Sequence, residues 1–375
     1  MSGIYIHIPF CKQACNYCNF HFSTSLRSKN DMVAALCKEI SLRKDYLDSA
    51  SIDSIYFGGG TPSLLDEKDL DKIFNTLSKY FIWNDKAEIT IEVNPDDINT
   101  DKLISFKKNN INRLSIGVQS FFDDDLRWMN RAHSALEAHD CIKLSQDKGF
   151  DNISIDLIYG SPTTSNSMWK ENIQKTLKCG VHHISSYCLT VEEKTVLHHQ
   201  IKTKKATAPD PDKAAGQFDI LIETLTSVGY MHYEISNFGL PGHFAVHNTN
   251  YWKGSDYLGI GPSAHSFNGH SRSWNIAHNN KYIESLLSDT IPEETELLSE
   301  SSQYNEYILT GLRTMWGVSY HRILNLGLQF ATHFISLIQD EIQNGNIDQC
   351  NEIYTLTKRG KHFADRIAMN LFYVD

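Results

Sequence analysis

No apolar stretch in the 375-residue chain approaches the roughly 20 residues that a membrane helix needs, so a helical span is excluded. Positive charge is short: 35 Lys and Arg stand against 45 Asp and Glu, a formal net charge of −10. Binding nucleic acid through its phosphates normally needs a basic face, so that partner is not expected. The N-terminal apolar run is broken by His7 and Pro9 and has no basic segment before it, which argues against a signal peptide. Cysteine is sparse, and Cys37, Cys141, Cys179, Cys188 and Cys350 stand singly, which is no disulfide framework. With 41% hydrophobic residues and ordinary glycine and proline, the chain is expected to fold around a core in the cytoplasm, where thiols stay reduced.

The three remaining cysteines are crowded together. Cys11, Cys15 and Cys18 are spaced C-x3-C-x2-C directly after the strand-like run Gly3–Pro9. Three thiolates can hold three irons of a [4Fe–4S] cluster, whereas a fully ligated cluster takes four. A structural zinc site is the lesser alternative. It needs four closed ligands, and only His7 or His21 is near enough in sequence to complete one.

Strand-like runs begin near Ile4, Ser54, Glu88, Arg113, Asn152 and His183, with helical patterns between them. This alternation predicts an α/β fold with parallel strands, and six units suit a partial (β/α)6, TIM-like barrel. An open doubly wound sheet is the alternative. In five runs one alternating set is apolar (Ile4, Ile6, Ile8; Ile55, Phe57; Ile89, Ile91; Leu114, Ile116; Ile153, Ile155), while the other is polar, aromatic or small (Tyr5, His7; Tyr56; Glu92; Ser115, Gly117, Gln119; Asp156). Period-two alternation places these sets on opposite faces, the first toward helices and the second toward a ligand-holding lumen. Residues 1–290 are read as the barrel. Residues 291–375 are read as a small C-terminal α+β, winged-helix-like domain: a helical stripe from Phe330 to Ile342 stops near Gly345, Ile353–Leu356 is a strand, and Thr357 caps a last helix through Ile367.

Functional groups of a parallel barrel gather at the strands' C-terminal ends. The cysteine loop follows the first strand, Gly58-Gly59-Gly60-Thr61-Pro62 the second, Glu92 and Asn94 end the third, Gln119 the fourth, and Asp156 lies near the end of the fifth. Glycines admit close backbone approach to a ligand, and carboxylates suit ribose hydroxyls. Arg131 offers a two-pronged donor for a carboxylate.

These motifs, with Tyr5-Ile6-His7-Ile8-Pro9-Phe10-Cys11, Ile116-Gly117-Val118-Gln119-Ser120-Phe121 and Ile155-Asp156-Leu157-Ile158-Tyr159-Gly160, resemble the radical S-adenosylmethionine (SAM) family of oxygen-independent coproporphyrinogen III oxidases. The resemblance implies that Cys11, Cys15 and Cys18 bind a [4Fe–4S] cluster. It implies that Tyr5, Tyr17, Gly59, Gly60, Thr61, Glu92, Gln119, Arg131 and Asp156 contact SAM. Two departures point to another branch. Phe20 stands where the oxidases carry a fourth cysteine, and the first cysteine comes at residue 11, with a shorter segment ahead of it.

The chain instead resembles the related heme chaperones, HemW, through His247-Asn248-Thr249-Asn250-Tyr251-Trp252. Aromatic residues fill 20% of the stretch from Tyr230 to Trp274, against 11% overall, and five histidines lie there too. A porphyrin face wants flat apolar contacts and its iron an axial imidazole. His247 is therefore expected as the axial ligand, with Tyr251 and Trp252 shaping the heme pocket. The resemblance implies heme delivery to proteins such as respiratory hemoproteins, and a homodimer that depends on the cofactors. The rival is an oxygen-independent coproporphyrinogen III oxidase, or another radical SAM enzyme acting on a porphyrin.

Overall fold

The computed structural model describes residues 2–47 and 51–374. Six strands, β1 (Ser2–Ile8), β2 (Ser51–Gly59), β3 (Ile82–Val93), β4 (Arg113–Gln119), β5 (Asn152–Tyr159) and β6 (His183–Cys188), lie side by side in chain order. All are parallel to their neighbours. Helices connect them, as parallel strands require. The apolar set read from the sequence is buried against those helices: Ile4, Ile6, Ile55, Phe57, Ile91, Leu114, Ile116 and Ile155 are each 0% exposed, within one continuous core.

The sheet extends beyond these six strands on both sides. Next to β6 run the antiparallel β8 (Asn237–Gly239) and then β7 (Met231–Glu234). Next to β1 runs β9 (Asp256–Ile260), parallel, followed by the antiparallel β10 (His265–Phe267), β11 (Ser271–Asn275) and β12 (Glu293–Leu297). The two ends of the order, β12 and β7, are not joined, so the barrel stays open. Because β12 pairs with β11, the large sheet reaches past residue 290, where the sequence places the start of the second domain.

The C-terminal segment has its own core, built on Tyr304, Ile308, Phe330, Phe334, Ile338, Tyr354 and Ile367. Its sheet has the order β13 (Val318–Ser319), β15 (Ile353–Leu356), β14 (Ile347–Cys350). The long helix Leu328–Gln343 ends just before Gly345, whose φ of +69° is the left-handed conformation that stops helices. Thr357 accepts a hydrogen bond from the Gly360 N–H at 3.0 Å, but the helix it starts breaks at Lys361, and a second one covers Ala364–Asn370. Among the described residues no helix is long and apolar enough to cross a membrane.

Burial lowers the pKa of His7, His133 and His247 to about 4 and of His232 to about 3. Each ring is neutral when folded and takes a proton when unfolded below about pH 6.5. For these rings the unfolded state therefore binds more protons in acid, and their contribution to stability falls as pH drops through that range. Buried carboxyls with raised pKa values, Glu92 and Asp156 among them, act in the opposite sense, so the effect is read by difference. Replacing His232 with asparagine is expected to lessen the loss of melting temperature between pH 7 and pH 4.5 relative to the unsubstituted chain. An identical pH dependence in the two proteins would contradict the burial of that ring.

Candidate functional site

The cysteine loop is shaped by backbone bonds at its base and held from the side. Ser23 N–H donates to Pro9 O at 2.9 Å, and Cys11 N–H donates to Ser23 O at 3.0 Å. The segment Trp128–Arg131 grips its middle: Asn16 N–H donates to Met129 O at 3.1 Å, Asn16 Nδ2 to Trp128 O at 2.8 Å, and Asn130 Nδ2 to Ala14 O at 2.7 Å. The glycine turn after β2 lies directly beneath. Gly60 N–H donates to Ile8 O at 2.9 Å, and Thr61 N–H donates to Phe10 O at 2.7 Å. A Cβ on Gly60 would sit 2.6 Å from Phe10 O, so only glycine allows this approach.

The open mouth of the barrel holds a cavity of about 440 Å³, enough for a nucleoside-sized ligand. Cys11, Cys15 and Cys18 line it together with Tyr17, Gly59, Gly60, Thr61, Glu92, Gln119, Arg131 and Asp156. One cavity thus gathers every residue assigned to the cluster and, with one exception, to SAM. The exception is Tyr5, which stands behind the wall. Its ring stacks near Tyr56 (6.1 Å), and its hydroxyl donates to His7 Nδ1 at 3.1 Å. His7 Nε2 in turn donates to His21 O at 2.9 Å. That arrangement uses both nitrogens of a neutral imidazole and ties β1 to the cysteine loop.

Arg131 links the two halves of the site. Nη1 donates to Cys15 Sγ at 3.3 Å, and Nη2 donates to Asn94 Oδ1 at 2.6 Å and to Gly117 O at 2.9 Å. Its Nε is buried without a partner. Asn94, one strand register beyond Glu92 on the same face, also donates to Thr61 Oγ1 at 3.1 Å. Gln119 has φ +65°, an uncommon conformation for a residue with a side chain, where β4 breaks its pairing register with β5.

Deeper in the lumen, Tyr56 O–H donates to Glu92 Oε1 at 2.8 Å, and Ser115 O–H reaches both Asp156 oxygens at 3.1 Å. Burial pushes Glu92 up to about 7, with Asp156 adding to the effect, and pushes Asp156 up to about 6 against the bonds from Ser185 and Ser115. Both carboxyls are neutral below these values and charged above them. A charged carboxylate is the stronger acceptor for a ribose hydroxyl. SAM affinity measured by titration calorimetry is therefore expected to rise by about tenfold between roughly pH 5.5 and pH 8. An affinity that falls with pH would contradict that assignment.

The sulfur donors suit a cluster better than a single ion. Among the described residues no three His, Cys, Asp or Glu side chains converge on a point that one metal ion could fill. The three thiols nevertheless share one cavity wall. Burial pushes Cys11 up to about 11 and raises Cys18 as well, so their thiolates form only beside added positive charge.

Tyr56, Ser115 and Gly117, which strand parity turns toward the lumen, and Asn94 at the end of β3 also line the cavity. Tyr187 and Cys188 line it too and are not assigned to it by the sequence reading. Both end β6, whose pattern has no clean alternation.

The three heme candidates fall elsewhere, at the opposite end of the strands. His247 is the second residue of the helix Val246–Trp252 and turns inward between the starts of β1 and β2. Ser54 Oγ and His247 Nδ1 are hydrogen-bonded at 2.9 Å, and the ring stacks on Tyr56 at 5.1 Å. Glu88 accepts the backbone N–H groups of Val246 (2.9 Å) and His247 (3.0 Å). The half-buried His247 ring thus leans into the end of the barrel with Nδ1 engaged by Ser54, while no bond to a described residue occupies its Nε2. Tyr251, by contrast, is 43% exposed, and Trp252 is half-buried beside it, the two rings 5.4 Å apart.

Residues 5–176 match the model of the radical SAM superfamily. The chain is similar to the "Heme chaperone HemW" of Mycobacterium tuberculosis, 31% identical over 374 residues that span 98% of this chain and 94% of the relative. It is similar to the protein of the same name from Bacillus subtilis, 31% identical and covering 98% of each chain. Among solved structures it resembles the Escherichia coli radical SAM enzyme coproporphyrinogen III oxidase (HemN), with a TM-score of 0.85 at 23% identity over 99% of this chain and 90% of that one. At that identity the likeness shows the fold.

Proposed function

The chain belongs to the HemW family of heme chaperones, and we propose that it binds heme and delivers it to recipient proteins on a scaffold that carries a [4Fe–4S] cluster and SAM. The observation that carries this reading is the near end-to-end similarity to chains named heme chaperones. Cys11, Cys15 and Cys18 would hold three irons. When bound there, such a cluster would supply Lewis-acid and one-electron chemistry toward SAM. The residues of the chain do the positioning. Arg131 offers its free Nε to a carboxylate while its other nitrogens brace Cys15, Asn94 and Gly117. Glu92 and Asp156 face the mouth as acceptors for ribose hydroxyls.

The oxidase reading loses support at Phe20. The ring is 68% exposed on the cluster loop, so the loop brings no fourth thiol to the mouth. The test is an anaerobic assay of the reconstituted protein with coproporphyrinogen III, SAM and a reductant, beside a hemin titration of the same sample. The expected outcome is unchanged coproporphyrinogen together with saturable hemin binding. Decarboxylated product without hemin binding would reverse the assignment.

A further inference from the structure

A second cavity lies beside the exposed end of the helix that carries His247, Tyr251 and Trp252. It has a volume of about 150 Å³ and lies between the sheet strands β9–β11 and the C-terminal helices Glu300–Leu312 and Tyr320–Leu326. Its walls are flat rings. Tyr251 and Tyr257 are 5.6 Å apart, Tyr257 and Phe267 are 6.2 Å apart, and Tyr307 faces them from the C-terminal side. Two guanidinium groups close it. Both oxygens of Glu306 engage Arg272, each at 2.9 Å. Arg322 lies over the Tyr307 ring at 4.2 Å and has no acidic partner among the described residues.

Resting on the heme-chaperone reading, we propose that the Tyr251 phenolate is the axial ligand of ferric heme, with one edge of the macrocycle entering this cavity and a propionate on Arg322. Three observations carry it. Tyr251 belongs to the short helix singled out in the sequence, is 43% exposed, and has no hydrogen-bond partner for its hydroxyl among the described residues. A phenolate is an established ligand of ferric heme. A planar dianion also matches aromatic walls with one unpaired cation at the rim, because Arg forms two-pronged bonds to carboxylates. A cavity of this size admits only a porphyrin edge, so most of the heme stays at the surface, from which a carrier can release it. On binding, the phenolic O–H gives its proton to solvent, the water or hydroxide on the hemin iron leaves, and the Fe–O bond forms in its place. No electron is transferred.

The rival ligand is His270. It is exposed, and its carbonyl accepts from Leu298 N–H at 3.0 Å beside the same cavity. The test titrates the full-length chain with ferric hemin and reads affinity and optical and electron-paramagnetic-resonance spectra for wild type, Tyr251→Phe, Arg322→Met and His270→Ala. The expected result is a high-spin phenolate-type spectrum in the wild type, its loss with about tenfold weaker binding in Tyr251→Phe, weaker binding with the spectrum kept in Arg322→Met, and no change in His270→Ala. Wild-type spectrum and affinity in Tyr251→Phe, or loss of the spectrum in His270→Ala, would overturn the ligand assignment while leaving heme binding intact. A wild type that binds no hemin would remove the heme reading itself and the proposal with it. Tyr251 is a surface ring, so removing its hydroxyl leaves the fold unaffected, which a matching thermal melt confirms.

Discussion

Replacing Cys15 with alanine is expected to leave a colourless protein after anaerobic reconstitution with iron and sulfide, where the unsubstituted chain turns brown and takes up roughly four irons. Two thiolates on a loop this short cannot retain three corners of a cluster. Cys15 also has the most direct electrostatic support, since Arg131 Nη1 donates to its sulfur at 3.3 Å. The control is Cys188→Ala, which removes a thiol of the same cavity that belongs to β6 rather than to the loop. It should keep both colour and iron. Iron and visible absorption, measured on the two variants side by side, check the result. A brown Cys15→Ala protein with full iron content would contradict the three-cysteine assignment.

The second large effect is expected at Arg131. Changing it to methionine should weaken SAM binding on the order of 100-fold, the equivalent of about 3 kcal/mol, which is the scale of a lost charge-assisted hydrogen bond in a buried setting. Arg131→Lys should recover little of this. A lysine provides one point charge where the structure uses separate nitrogens for Cys15, for Asn94 and Gly117, and for an open Nε position. Calorimetric titration with SAM measures the loss. Iron content on the same samples separates it from loss of the cluster. Unchanged SAM affinity in a fully iron-loaded Arg131→Met protein would remove this residue from the cradle.

The barrel and its mouth were legible because a parallel strand with one polar face writes its orientation into every second residue. Glu92, Gln119 and Asp156 come from three separate strands, yet parity alone places them on one side, and the cavity holds all three. Tyr5 has the right parity but sits behind Gly58, where the ring's partner is His7 rather than the lumen. Parity gives a face and says nothing about depth. Strands β7, β8 and β10 were not legible, because runs of three or four residues carry no period. The short helix at Val246 was legible as a motif but not in its orientation. What turns His247 inward is tertiary: Glu88 on β3 accepts the helix's first N–H groups, and Ser54 on β2 holds the imidazole. A similar contact explains why Arg272, Glu306 and Arg322 drew no attention in the sequence, since they meet only when the C-terminal helices pack on the large sheet.

The central claim is that this chain carries heme and gives it up to another protein. Its most direct test is heme transfer: the reconstituted chain is loaded with ferric hemin, freed of excess, and mixed with an apo-hemoprotein held behind an affinity tag. The account predicts that the donor's absorption band declines while the recipient's holo spectrum grows at the same rate, with SAM and porphyrin both recovered chemically unchanged. Heme that stays on the donor, or a porphyrin recovered with altered side chains, would contradict it.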